Sequence, residues 1–150
     1  MEDSVRERRV DVYIDAERSS HIEGRRGETV VRIRFLGLRE LDLQEEVGHS
    51  SDSIEAKYLA LIRTLNLIKE RSSELGEVEA FVIHSDCWMM VDQYSGKSEV
   101  KEAKLVKMLG VVKNLKSNLK ADIQLRYVPR KENLARTVPG STEKPQSLAR

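Results

Sequence analysis

The segment VEAFVIHSD, residues 78–86, decides the fold of this chain because it predicts a central strand that ends on an acid. Phe81, Val82 and Ile83 are consecutive apolar residues. A strand buries such a run when both faces of its sheet are covered. Asp86 follows the run, and ligand sites of open α/β sheets form outside the carboxyl ends of the strands. We therefore expect Asp86 to lie at such an edge.

Upstream of this segment the sequence predicts three antiparallel strands and then a helix. Residues 10–15 are a short run rich in β-forming residues, and the runs 31–35 and 41–44 alternate apolar with polar or charged residues, the period of a half-buried strand. Asp15 ends the first run. Residues 52–75 then carry apolar side chains at helical spacing until Gly76 stops the pattern, and Glu55 stands at the start of this helix.

Downstream the sequence predicts two helices, a fifth strand and a short closing helix. Their expected positions are about 87–94, 100–119, 123–127 and from Asn133 onward. The order of elements is βββαβααβα, which is typical of an α/β fold with a five-stranded mixed sheet and helices on both faces. We expect one domain at 10–140, with flexible tails at 1–9 and 141–150.

Composition narrows the class of protein. A chain of 150 residues suffices for one domain with a real core. Its only cysteine, Cys87, excludes a disulfide framework, and no apolar run is long enough for a membrane span, so a cytoplasmic protein without membrane contact is expected. Residues 101–120 hold six lysines and one acid, a net charge of +5 that suits either a phosphate backbone or a solvated helix face.

Three acids stand at the ends of predicted elements: Asp15, Glu55 and Asp86. Carboxylates that are pressed together repel each other unless a cation neutralises them, so a cluster of the three would indicate Mg²⁺ or Mn²⁺. Each acid also has a plain structural interpretation. Asp15 is a turn residue, Asp86 caps the following helix, and Glu55 forms an arrangement like a capping box with Asp52.

At this point the sequence resembles type 1 ribonuclease H, in a prokaryotic form. The resemblance is carried in order by four segments: YIDAERS (13–19), SSDSIEAKYLALIRTL (50–65), VIHSDCWMMVDQYSGKSEVK (82–101) and IQLRYVPRKENLAR (123–136). It implies a ribonuclease H-like fold and an endonuclease that hydrolyses the RNA strand of RNA–DNA hybrids. It further implies two Mg²⁺ or Mn²⁺ ions and products with 5′-phosphate and 3′-hydroxyl ends.

The resemblance also implies roles for the acids, and it reveals a departure. Asp15 would bridge both ions, with Glu55 and Asp86 completing one of them. The fourth acid of the family is missing, and Asn133 stands in its place if the Leu-Ala-Arg run sets the register. We expect the amide oxygen of Asn133 to serve as a ligand, with Glu132 as the alternative ligand. In the other register Arg136 or Thr137 takes the position. A separate alternative is that Asn133 is a plain helix N-cap.

The remaining expectations concern the substrate. By position, Ala16, Ser51 and Asp52 match places where the family contacts the hybrid. Arg130 is the nearest candidate for charge assistance at the place where some members carry a catalytic histidine, and we count it among the substrate-binding residues. The basic protrusion of many family members is absent, because GKSEVKEAK (96–104) connects the two middle helices directly. We expect a monomer. A catalytically impaired module that only binds hybrid or double-stranded RNA is the competing hypothesis, and loss of the fourth acid favours it.

Overall fold

The computed structural model describes residues 8–19 and 27–137. Within these ranges the strands are β1 (Arg9–Ser19), β2 (Glu28–Phe35), β3 (Leu43–His49), β4 (Ala80–Ser85) and β5 (Asp122–Tyr127). The α-helices are α1 (Ser53–Glu70), α2 (Ser72–Leu75), α3 (Trp88–Ser95) and α4 (Ala103–Ser117), and 3-10 helices span Arg39–Leu41, Arg130–Glu132 and Leu134–Thr137. The tails expected at 1–9 and 141–150 lie outside the described residues, except for Arg8 and Arg9.

The five strands form one mixed sheet in the order β3-β2-β1-β4-β5. β1 pairs antiparallel with β2, and β2 pairs antiparallel with β3. β4 lies parallel to both β1 and β5. Parallel neighbours need crossover connections, which α1, α3 and α4 supply. The predicted fold class is confirmed.

Alternation along the strands assigns α1 and the last 3-10 helix to opposite faces of the sheet. Ile14 and Ile33 are opposite each other in the register of β1 and β2, and both are buried in the main core with Leu61 of α1. Arg34 therefore points to the other face. There it donates a hydrogen bond to the hydroxyl group of Thr137, which places the last 3-10 helix opposite α1. Helical elements thus cover both faces of the sheet.

The boundaries differ from the expected ones where pairing or packing overrides local pattern. β1 does not end at Asp15, because β2 continues to pair with it as far as Ser19. The third strand begins at Leu43, after a 3-10 turn. The closing helix expected from Asn133 consists, up to residue 137, of one short 3-10 helix. No helix in the described part of the chain is long and apolar enough to cross a membrane.

Candidate active site

Asp15 and Asp86 lie side by side at one edge of the sheet. β1 and β4 run parallel, and their pairing ends with Tyr13 opposite His84. Asp15 and Asp86 each lie two residues after this last pair, so the two strands bring both side chains to the same edge of the sheet. The two side chains are only 6% exposed. Asp15 and Asp86 are therefore close together, because β1 and β4 are neighbouring strands.

A lysine from α1 occupies the space between the two aspartates. The Nζ atom of Lys57 lies 2.7 Å from Oδ1 of Asp15 and 3.5 Å from Oδ1 of Asp86. It also donates a hydrogen bond of 2.9 Å to the backbone carbonyl of Ala16. The Lys57 side chain is itself only 12% exposed. A protein ammonium group thus neutralises the paired carboxylates.

Sequence reasoning missed Lys57 because it searched for acids. The available signal was its place in α1, between Ala56 and Tyr58, which are both buried. A lysine inside the packed stretch of a helix needs a partner, since an unpaired buried charge is costly. The side chain by which α1 reaches the two aspartates is therefore basic.

Glu55 binds the start of its own helix and the neighbouring α4. Its Oε1 atom accepts a hydrogen bond of 2.8 Å from the backbone N–H group of Ser51. The Oδ1 atom of Asp52 accepts one of 2.9 Å from the backbone N–H group of Glu55, which makes Asp52 the N-cap. Lys104 of α4 lies 3.4 Å from the same Glu55 oxygen. This is the capping arrangement that was the plain alternative for Glu55.

The contacts of Glu55 predict a pH dependence of stability. Burial raises the pKa of its carboxyl group, but the hydrogen bonds from Ser51 and the ammonium group of Lys104 outweigh burial, and the pKa is lowered overall. The stabilisation is therefore fully present above the unfolded value of about 4.5 and is lost as the pH falls through the folded pKa. In urea titrations, Glu55→Gln should be less stable than the wild type at neutral pH, and the difference should shrink in acid. Glu99→Gln, at an exposed position, should match the wild type at every pH.

Asn133 is 3% exposed, and its side chain links the segment after β5 to β1 and to Asp86. Its Nδ2 atom donates to the backbone carbonyl of Ile14 at 2.9 Å and to Oδ2 of Asp86 at 3.2 Å. Its Oδ1 atom accepts from the backbone N–H group of Ala135 at 3.0 Å. Because a carbonyl cannot donate and an N–H group cannot accept, these backbone partners determine the orientation of the amide.

This orientation does not match the ligand role expected for Asn133. The amide oxygen caps the last 3-10 helix at Ala135, and the N–H group faces the carboxylate of Asp86. The geometry instead makes Asn133 a positioning residue for Asp86. Glu132, the alternative ligand, is exposed in the preceding 3-10 helix.

The four expected substrate contacts lie in different environments. Ala16 is 5% exposed, and its carbonyl accepts from Lys57. Ser51 and Asp52 are exposed at the start of α1, where the Ser51 hydroxyl accepts a hydrogen bond of 3.0 Å from Lys104. Arg130 is exposed at the start of the 3-10 helix after β5. Ser51, Asp52 and Arg130 are therefore accessible to a large ligand.

The thiol of Cys87, which lies beside the site, is not activated as a nucleophile. Cys87 follows Asp86 directly and is partly buried against the core. Burial raises the pKa of its thiol. The thiol therefore stays protonated near neutral pH, which agrees with a packing role and not with that of a nucleophile.

With Lys57 in place, the arrangement of side chains does not fit a bound divalent ion. Among residues 8–19 and 27–137, no group of three or more His, Cys, Asp and Glu side chains converges closely enough to hold a metal. The space between Asp15 and Asp86 contains the ammonium group of Lys57. Asn133 presents an N–H group, which cannot bind a cation. Residues 8–19 and 27–137 thus do not by themselves assemble the two-ion site that the resemblance implies.

The reverse transcriptase-like protein family has a model that matches residues 36–137 of this chain. The chain belongs to this family. Its fold is that of type 1 ribonuclease H, as comparison with solved structures confirms. Among curated proteins, no sequence matches it.

Three solved structures illustrate the likeness. The N-terminal ribonuclease H domain of a Mycobacterium tuberculosis protein is 21% identical, with a TM-score of 0.63 over 85% of this chain and 92% of that chain. LC11-RNase H1, from compost, was solved with an RNA/DNA hybrid and is 20% identical, with a TM-score of 0.66 over 83% and 88%. RNase H1 of Halobacterium salinarum is 18% identical, with a TM-score of 0.66 over 90% and 98%. At these identities the likeness establishes the fold alone.

Proposed function

We propose that this ribonuclease H-like domain binds RNA–DNA hybrids and does not cleave them by metal-dependent hydrolysis. One observation carries the proposal: Lys57 forms ion pairs of 2.7 and 3.5 Å with Asp15 and Asp86, the two acids that would hold metal. The fold supports the choice of ligand, because one of its structural neighbours was solved with an RNA/DNA hybrid. The ammonium group of Lys57 between the two acids is what favours binding over hydrolysis.

The start of α4 is the surface best suited to a phosphate backbone. Lys101, Lys104 and Lys107 are exposed there. Lys104 contacts Ser51 and Glu55, so this basic surface adjoins the start of α1 and its exposed polar residues. Lysines that neutralise phosphates release counterions, which makes the affinity dependent on salt. We therefore place the backbone of the hybrid along this surface.

Two exposed aromatic side chains lie at the same edge of the sheet as Asp15 and Asp86. Trp88, two residues after Asp86, is 60% exposed, and Tyr127, paired with Ser85 at the end of β5, is 50% exposed. Large exposed aromatic side chains are binding residues in many nucleic-acid-binding proteins, where bases or sugars pack on them. Trp88 and Tyr127 are therefore candidate contacts to the nucleic acid.

Binding and cleavage are tested together with a fluorescent hybrid. Anisotropy should show binding in EDTA that Mg²⁺ does not strengthen, and a labelled RNA strand should stay intact with Mg²⁺ or Mn²⁺. Lys107→Ala should weaken binding and lower the slope of log K against log salt by about one. Lys69→Ala, an exposed lysine at the far end of α1, is the matched control and should bind like the wild type.

Metal-dependent hydrolysis is the second candidate function, and the adjacency of Asp15 and Asp86 favours it. It requires Lys57 to leave the two carboxylates and a third ligand, Glu55 or Glu132, to approach. Cleavage by the wild type that Asp86→Asn abolishes would establish this second function. Failure to bind the hybrid at any salt concentration would contradict the proposed one.

A further inference from the structure

The space between Asp15 and Asp86 has the donor chemistry of a cation site. Three oxygen atoms lie within 3.5 Å of the Nζ atom of Lys57: Oδ1 of Asp15, the carbonyl oxygen of Ala16 and Oδ1 of Asp86. Two of them belong to carboxylates. Carboxylate and backbone carbonyl oxygens are the ligands that hard divalent ions prefer. The ammonium group of Lys57 occupies the space between these oxygens.

We propose that Lys57 is the resident cation of this site and keeps divalent metal out of it. The inference concerns the same site as the proposed function, but it does not require the chain to bind nucleic acid. In physical terms, Lys57 supplies the positive charge that two neighbouring buried carboxylates need. A divalent ion would have to displace an ammonium group that is covalently attached and already in contact with three oxygens.

The burial of the three side chains distinguishes this arrangement from an ordinary surface ion pair. Lys57 is 12% exposed, and each aspartate is 6% exposed. On the surface of the same domain, Lys104 pairs with Glu55 while its own side chain is 54% exposed. Water and salt can replace the partner of Lys104 far more easily than that of Lys57. Lys57 is thus an integral part of the site.

The surroundings hold the two aspartates in place when Lys57 is changed. Asp86 keeps its hydrogen bond from Asn133, whose amide is in turn fixed by Ile14 and Ala135. Asp15 lies within β1 and stays paired in register with Arg32 of β2. Truncation of Lys57 should therefore leave two anionic oxygens and one carbonyl oxygen facing a common point. Such a set should recruit a divalent ion from solution.

The test measures Mn²⁺ binding by electron paramagnetic resonance, without nucleic acid, on the wild type, Lys57→Ala, Lys57→Gln and the control Lys69→Ala. The wild type and Lys69→Ala should leave millimolar Mn²⁺ free. Lys57→Ala should bind one ion at least about tenfold more tightly than the wild type, and Mn²⁺ should raise its melting temperature. Adding Asp86→Asn to Lys57→Ala should abolish that binding. Mg²⁺ should compete with Mn²⁺ for the site.

Three results would overturn the inference. The first is stoichiometric Mn²⁺ binding by the wild type that Asp86→Asn abolishes, because it would show that Lys57 does not exclude metal. The second is the absence of Mn²⁺ binding in whichever of Lys57→Ala and Lys57→Gln is folded by circular dichroism. If neither variant folds without metal, refolding in Mn²⁺ should restore the Lys57→Ala spectrum, and failure to do so also contradicts the inference. The hybrid assays report separately on the proposed function.

Discussion

Asn133→Asp should lower the free energy of unfolding by about 3–5 kcal/mol at neutral pH, as expected when a buried charge is left without a partner. Asn133 is 3% exposed, and its Nδ2 atom donates to the Ile14 carbonyl and to the carboxylate of Asp86. A carboxylate in the same place would put a negative oxygen against two acceptors, one of them charged. Urea denaturation followed by circular dichroism measures the loss.

The pH dependence identifies the cause of this loss. A carboxyl group forced against Asp86 is stabilised in its protonated form, which can still donate one hydrogen bond. The deficit of Asn133→Asp should therefore shrink as the pH is lowered. Asn114→Asp makes the same chemical change at an exposed position of α4 and should alter stability by no more than about 0.5 kcal/mol. A well-folded Asn133→Asp variant of wild-type stability would refute the assigned orientation of the amide.

Lys57→Met should cost about 3–5 kcal/mol of unfolding free energy in EDTA, because it removes the charge partner of two buried carboxylates. The methionine side chain keeps most of the packing volume, so the loss reports on charge more than on a cavity. The Nζ atom that disappears lies 2.7 Å from Asp15 and 3.5 Å from Asp86. Urea denaturation in EDTA measures this effect without any contribution from metal.

A double-mutant cycle separates the ion pair from other effects of the substitution. If Lys57 mainly neutralises Asp15, adding Asp15→Asn to Lys57→Met should destabilise much less than the sum of the two single variants. Lys69→Met, on the exposed end of the same helix, should leave stability nearly unchanged. Additive losses in the cycle would mean that Lys57 and Asp15 do not act as a pair.

Much of the fold was predictable because strand and helix periods are local properties. The apolar run within 78–86 and the strands before it predicted the mixed sheet that the structure confirms. The ends of the strands were harder to place. β1 continues past Asp15 because β2 pairs with it there, and such pairing joins residues that are distant in sequence.

The candidate site was predictable only in part. Asp15 and Asp86 each stand at the end of a predicted strand, but their adjacency depends on β1 and β4 being parallel neighbours, which the sequence pattern left open. The ligand role of Glu55 stays a prediction. Its Oε1 atom accepts a hydrogen bond at the start of α1, where local capping competes with any role at the edge of the sheet. The orientation of Asn133 depends on Ile14, which is 119 residues away in sequence. No local pattern contains that contact.

The sequence by itself determined the order of the five strands and of the main helices between them, and it identified the family and the two acids Asp15 and Asp86 as candidate site residues. Tertiary structure alone decided which charge accompanies those acids. Lys57 reaches Asp15 across 42 positions of sequence because α1 packs over β1. Electrostatic energy depends on distances in space. The position of one ammonium group, within a few ångströms, therefore decides whether the two carboxylates are already neutralised or are available to a metal ion. That difference underlies the proposal that this ribonuclease H-like domain binds without cleaving.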